Sequence, residues 1–225
     1  MRLHVEALFA HDAAGDLIQV NEPGGAPAPR FFAGRTANGM LVRFRHDVAH
    51  DLRRELEAAL AHDPNLDIAF NAPIDPSRHA EILARSAPVT KTWTGPAFHF
   101  PEALRATAKA IAVDQSNAQL LAPLLSEWLP DVETHRPMYV LPVDGKGVSV
   151  CCSVRRTAMA HEAGVETASA CRGRGYAASV VTAWASAVRA TGGVPLYSTS
   201  WQNEASRALA RKLGLICFGS DVHIT

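Results

Sequence analysis

A mixed α+β fold is what this sequence predicts, on three observations. Strand-like runs alternate with stretches whose apolar residues recur at helical spacing. A hairpin signature, Asp144-Gly145, joins MYVLPV to GVSVCCSVRR, and Gly192-Gly193 closes a helical stripe ahead of a further strand, PLYSTS. Hydrophobic residues make up 48% of the chain and charged ones 20%, the mixture of a folded globular protein.

The elements follow in order. LHVEALF, DLIQVN, RFF and MLVRFRH read as short strands separated by turn formers such as Ala14-Gly15-Asp16 and Asn38-Gly39. Asp47 is placed to cap the helix VAHDLRRELEAALAH, in which Val48, Leu52, Leu56 and Leu60 recur every four residues. NEPGGAPAP, residues 21–29, is too rich in Pro and Gly for regular structure and reads as a plain connector, with a lid as the alternative. The proline-punctuated stretch from Pro73 to Pro101 holds one helix, PSRHAEILARS, and is where a domain boundary is expected. The division drawn is a small α+β unit over 1–90 and a second domain over 91–225. In the second, PAFHF reads as a strand, EALRATAKAIAV and NAQLLAPLLSEWL as helices, the latter with an apolar face of Leu120, Leu121, Leu124, Leu125 and Trp128. In GVSVCCSVRR, Val148, Val150, Cys152 and Val154 alternate with Ser149, Cys151, Ser153 and Arg155, one apolar face and one more polar. HEAGVETASA leads into CRGRGYA. After it Ala177, Val180, Val181, Trp184 and Val188 form a helical stripe, and a helix from Asn203 to before Gly214 precedes the closing LICFGSDVHIT.

Charge excludes some function classes. Basic and acidic residues balance at 22 each, so no nucleic-acid or acidic-membrane partner is expected, and any anion site is local. The four cysteines, Cys151, Cys152, Cys171 and Cys217, show no CxxC spacing, which fits a reduced, cytoplasmic setting. MRLHVEALFAHDAAG is broken by charges and His, unlike a signal-peptide core, and no apolar run is long enough to span a bilayer. No metal is expected: HDVAH, residues 46–50, imitates HExxH but has Asp47 in place of the general-base Glu and no third ligand at a suitable spacing, and His161-Glu162 has no second His.

CRGRGYA carries the functional signal. A helix N-terminus exposes unpaired N–H groups and a partial positive charge, so a glycine loop entering a helix can bind phosphate through its backbone. Gly173 and Gly175 permit close approach, and Arg172 and Arg174 add charge. There is no GK[ST] for a P-loop and no GxGxxG with a following acidic ribose contact. A solvated basic turn is the plain alternative.

Arg172-Gly173-Arg174-Gly175-Tyr176-Ala177 matches R-x-x-G-x-A, and over roughly the last 130 residues the chain resembles the GCN5-related N-acetyltransferases (GNAT). The hairpin precedes the loop, and PLYSTSWQN then EASRALARKLGL follow it, as that family's strand, Asn-led helix and K-L-G-F do. The resemblance implies a GNAT-like central mixed sheet flanked by helices, preceded by the small N-terminal unit. It implies acetyl-CoA as co-substrate, with pyrophosphate on the backbone of Arg172, Gly173, Arg174, Gly175, Tyr176 and Ala177. The pantetheine arm would lie along Val165, Glu166 and Thr167, in a cleft where that strand splays from Pro195–Ser200. Asn203 matches the position that often contacts the arm, although Asn is also a favoured helix N-cap.

Acyl transfer from a thioester to an amine needs a neutral amine, stabilisation of the carbonyl oxygen and a proton for the leaving thiolate. The family attacks directly, without a covalent enzyme intermediate. Glu166 is the first candidate base and Glu162 the second. Relatives carry a Tyr in L-Y-x-K-L-G-F where this chain has Ala210, which leaves Ser198 and Ser200 as candidate donors. The reading is an N-acyltransferase moving an acetyl group to a small-molecule or peptide amine. Its rival is a non-catalytic acyl-CoA-binding module whose N-terminal unit is an interaction surface. Strand edges at the C-terminus leave a homodimer open.

Overall fold

The computed structural model describes residues 1–61, 69–104 and 110–225. In chain order the elements are α1 (Arg2–Leu8), β1 (Phe9–His11), β2 (Leu17–Val20), β3 (Phe31–Thr36), β4 (Gly39–Phe44), α2 (His50–Ala61), α3 (Ser77–Ala84) and β5 (Thr92–His99). Then come β6 (Ile111–Ala112), β7 (Met138–Val143), β8 (Lys146–Arg156), β9 (Ala160–Thr167), α4 (Tyr176–Ala190), β10 (Val194–Ser198), α5 (Glu204–Lys212) and β11 (Ile216–Ile224). They form two compact units: Met1–Phe98 with Ser198–Glu204 and Cys217–Thr225, and His99–Tyr197 with Ala205–Ile216.

The first unit holds strands in the order β4-β3-β11-β5, and a separate pair, β1-β2. β3 lies antiparallel to β4 and to β11, with Val222 opposite Ala33 and Ile224 opposite Phe31. One apolar cluster joins Phe31, Phe44, Leu56, Leu60, Ile82, Leu83, Val222 and Ile224, and another joins Val5, Leu8, Phe9, Leu17 and Phe32. Because strand residues alternate in direction, Phe31 and Phe32 feed the two faces in turn. Asp221, with no exposed surface, lies between two imidazoles: His4 Nε2 is 3.4 Å from Oδ1 and His223 Nε2 2.5 Å from Oδ2. His223 in turn stacks on Trp93 with ring centroids 4.6 Å apart. Burial pushes the Asp221 carboxyl up, but the charge and hydrogen bonds of His4 and His223 outweigh it and hold it below the usual carboxylate range.

Two expectations in this unit change. LHVEALF is the helix α1, not a strand: its buried residues are His4, Val5, Ala7 and Leu8, a helical spacing rather than an alternation. Asp47 does not cap α2, which begins at His50; Arg45 holds it through Nε and Nη2 at 2.7 and 3.0 Å. Val48, Leu56 and Leu60 are buried as their spacing requires, while His62 at the end of the predicted helix lies outside the described residues.

The second unit orders its strands β10-β9-β8-β7-β6, with β9-β10 parallel and the rest antiparallel. Asp144 at φ 49° and Gly145 at φ 75° close the β7-β8 hairpin, the positive φ pair that matches strand twist. Both faces of β8 are buried along most of its length. Val150 and Cys152 pack with Leu121, Leu125, Met138 and Val140. On the other face Trp184 of α4, wholly buried, donates Nε1–H to Ser153 Oγ at 3.0 Å. Ser153 Oγ also lies 2.8 Å from His161 Nδ1, a hydrogen bond that a neutral imidazole makes in either tautomer. Burial, then Arg156, lowers the His161 pKa and favours this neutral form.

NAQLLAPLLSEWL does not form an α-helix but two 3-10 turns, Ala118–Leu120 and Ser126–Asp131. Pro123 and Pro130 cannot donate to a helical ladder, and each obstructs the turn before it. Leu121 and Leu125 are buried and Trp128 packs beside them, but Leu124 is 39% exposed. Of EALRATAKAIAV, residues 105–109 lie outside the described residues, and Ile111–Ala112 is the edge strand β6 rather than helix. α4 follows the expected stripe, burying Val180, Val181, Trp184 and Val188.

Candidate active site

The site is built where β9 stops being paired. β10 runs parallel to β9 with Val194 opposite Ala160, Pro195 opposite His161 and Leu196 opposite Glu162, and the register ends there. On its other side β9 stays bound to β8 as far as Thr167 opposite Ser149. The stretch 163–167 therefore has one free edge in this unit, and it runs straight into the glycine loop. Ser149 secures the bound edge: its hydroxyl donates to Glu166 O at 2.9 Å and lies 2.8 Å from Thr167 Oγ1.

After β9 a 3-10 turn, Ser169–Cys171, delivers the chain to the loop. Gly173 has φ +76° and Gly175, at the N-cap of α4, has φ +80°. Left-handed backbone is what L side chains resist, so these two positions require glycine. α4 has no side-chain cap and no acidic residue in its first turn. Among the described residues, the amides of Gly173, Arg174, Gly175, Tyr176 and Ala177 reach no protein acceptor. Arg172 turns back instead, donating Nε–H to Thr167 O at 3.1 Å and fixing the loop to the end of β9. The cation over the loop is Lys212 of α5, whose Nζ lies 2.6 Å from where a Cβ on Gly175 would stand.

Glu162, Gly164 and Glu166 share one face of β9. Glu166 is half-buried, and its Oε2 accepts the indole N–H of Trp128 at 2.8 Å. Glu162 is 2% exposed and sits at the last β9-β10 pair. Four residues of strand separate the two carboxylates by about 13 Å, so one thioester cannot meet both. Tyr197, the first β10 residue past that pair, is 3% exposed, with its hydroxyl 2.6 Å from Ser206 Oγ. Burial pushes its pKa up to about 12, against the opposing effect of its hydrogen bond with Ser206. Ala210 is completely buried and supplies no hydroxyl. Burial raises the thiols of Cys151 and Cys152, which keeps both protonated.

Ser198, Ser200 and Asn203 belong to the first unit, where Asn203 N–H donates to Ser200 O at 3.1 Å and α5 begins one residue on, at Glu204. The structure thus gathers Val165, Glu166, Thr167 and the loop in one unit. Trp128, Tyr197 and Lys212 were missed by sequence reasoning. Only Lys212 had a signal there, as the K of K-L-G. No group of three or more His, Cys, Asp and Glu among the described residues is placed to hold a metal ion, and no helix among them is long and apolar enough to cross a membrane.

A mixed sheet whose parallel strands part ahead of a glycine loop at a helix N-terminus defines an acyltransferase-type fold. Residues 138–219 match the family described as GNAT acetyltransferase. Three solved structures share the fold. A protein assigned to the GNAT family from Novosphingobium aromaticivorans aligns with TM-score 0.51 and 18% identity over 60% of this chain and 65% of its own. A GNAT-family acetyltransferase from Colwellia psychrerythraea gives 0.50 and 13% over 82% and 75%. A GCN5-related N-acetyltransferase from Kribbella flavida gives 0.50 and 14% over 99% and 92%. No curated protein matches the chain.

Proposed function

We propose that this protein transfers an acetyl group from acetyl-CoA to a primary amine by direct attack. Family and fold support acyltransferase activity in general. The observation that carries the finer reading is the end of β9-β10 pairing at Glu162, which leaves a strand edge leading to an unfilled nest of amides. The pyrophosphate rests on the amides of 173–177 with Lys212 beside it, and the pantetheine amides pair with the free edge at 165–167. Glu166 takes a proton from the acceptor amine as nitrogen bonds to the carbonyl carbon. The carbon–sulfur bond then breaks, and the thiolate needs a proton. Tyr197, protonated throughout the neutral range, is the hydroxyl of this unit assigned to that step in place of the one Ala210 lacks. Buried, protonated Cys151 and Cys152 are unsuited to a covalent intermediate, which supports direct attack.

The test is thiol release from acetyl-CoA with glycine, spermidine, kanamycin and a short peptide as acceptors. At least one amine raises release above the rate in water, and Glu166→Gln lowers that rate by about 10²- to 10⁴-fold while acetyl-CoA still binds in calorimetric titration. Tight binding with no amine-dependent release defeats the enzyme reading.

A further inference from the structure

We infer that Trp128 is a positioning residue for Glu166: its indole N–H holds Oε2 so that Oε1 is the oxygen presented to the acceptor amine. The inference rests on Glu166 being the base. A half-buried glutamate has three rotatable bonds, and proton transfer requires an oxygen held within hydrogen-bond reach of the amine. Trp128 restricts that freedom at one oxygen. Among the described residues Oε1 takes no hydrogen bond.

The indole is itself fixed. It lies on the 3-10 turn Ser126–Asp131, with Trp128 N–H donating to O of the fully buried Leu125 at 3.1 Å. Its ring covers Gly164, where an ideal Cβ would stand 3.4 Å from Trp128 Cη2 and 2.1 Å from Val154 Cγ1. The close approach of Val154 is what requires glycine at 164, two residues before the carboxylate, and the indole lies in van der Waals reach of the same point. A bare structural role for Trp128 would need only the ring; the positioning role needs the N–H.

The experiment measures acetyl transfer from acetyl-CoA to whichever of the four acceptors above gives release, for wild type, Trp128→Phe, Glu166→Gln and the double variant. A fifth protein carries 3-benzothienylalanine at 128, which keeps the bicyclic shape and replaces N–H by sulfur, and so reports even if Trp128→Phe fails to fold. The expected result is a kcat about tenfold lower for Trp128→Phe and for the sulfur isostere, with KM for acetyl-CoA within twofold of wild type. In the Glu166→Gln background removal of the indole N–H changes kcat no further, since there is no base left to aim. Two results overturn the inference and spare the base: a normal kcat in the isostere while Glu166→Gln is inactive, or the same fractional loss from Trp128→Phe with and without Glu166. Wild-type kcat in Glu166→Gln removes the base, and the inference with it. If no acceptor is turned over at all, both fall.

Discussion

Replacing Gly175 by Ala separates the backbone's part in the loop from that of the cation above it. At φ +80° an L residue costs about 1–2 kcal/mol of folding stability. The new methyl would also stand 2.6 Å from Lys212 Nζ. That atom ends a flexible side chain, so it swings aside at little cost to folding, but its charge leaves the loop. Lys212 is exposed, and a solvent-screened ion pair is worth about 0.2–1 kcal/mol, which converts to a one- to fivefold weaker grip on acetyl-CoA. Gly173→Ala is the internal control: its φ is +76°, so the backbone cost is the same, yet nothing lies within 4 Å of its Cβ. Urea denaturation and calorimetric titration of acetyl-CoA at fixed ionic strength read the two quantities. Both glycine variants should lose the same stability, Gly175→Ala should bind more weakly than Gly173→Ala, and Lys212→Gln should reproduce that difference without loss of stability. Equal binding by Gly175→Ala and Gly173→Ala, or wild-type binding by Lys212→Gln, would refute the placement of Lys212 on the phosphate.

Asp221→Asn leaves His4 and His223 without their buried anion and should cost about 3–5 kcal/mol in urea denaturation; a loss under 1 kcal/mol would show that the pair is not coupled to folding. The Asp221 carboxyl is held low, so its stabilisation is present above the ordinary carboxylate value near 4 and lost as pH falls through the folded value. His161 is also held low, by burial and Arg156, so the folded state refuses a proton that the unfolded chain accepts. Its contribution is complete above about 6.5 and declines as pH falls from there towards the folded value; His161→Gln should flatten the stability profile over that interval, and an unchanged slope would count against the buried neutral form. Glu162→Gln should leave acetyl-CoA binding intact and lower kcat far less than Glu166→Gln, because a thioester within reach of Glu166 is about 13 Å from Glu162; the reverse order would exchange their roles.

The parts legible in the sequence are those whose cause is local. Asp144-Gly145 demands a tight hairpin wherever it occurs, the Val180–Val188 stripe faces inward in any fold, and the positive φ of Gly173 and Gly175 is a property of the loop itself. What was not legible depends on partners far along the chain. Nothing near Trp128 announces that its N–H meets Glu166, nor does anything near Gly175 announce Lys212. LHVEALF has the β-branched and aromatic residues of a strand, and only the surroundings of His4, Val5 and Leu8 make it a helix. In β8, Ser149 and Ser153 read only as part of a more polar face; that Glu166 O and Trp184 Nε1 are their hydrogen-bond partners depends on distant parts of the chain.

β11 has a consequence for how the chain is made. The strand that completes the first unit, Ile216–Ile224, pairs with Phe31–Thr36, so β3 waits for a neighbour encoded far downstream. During synthesis β3 is an edge, with Phe31 and Phe32 on it, until β11 leaves the ribosome. Nascent chains stalled before Ile216 should therefore expose that edge to chaperones and to each other, and deletion of β11 should behave as a loss of the first unit.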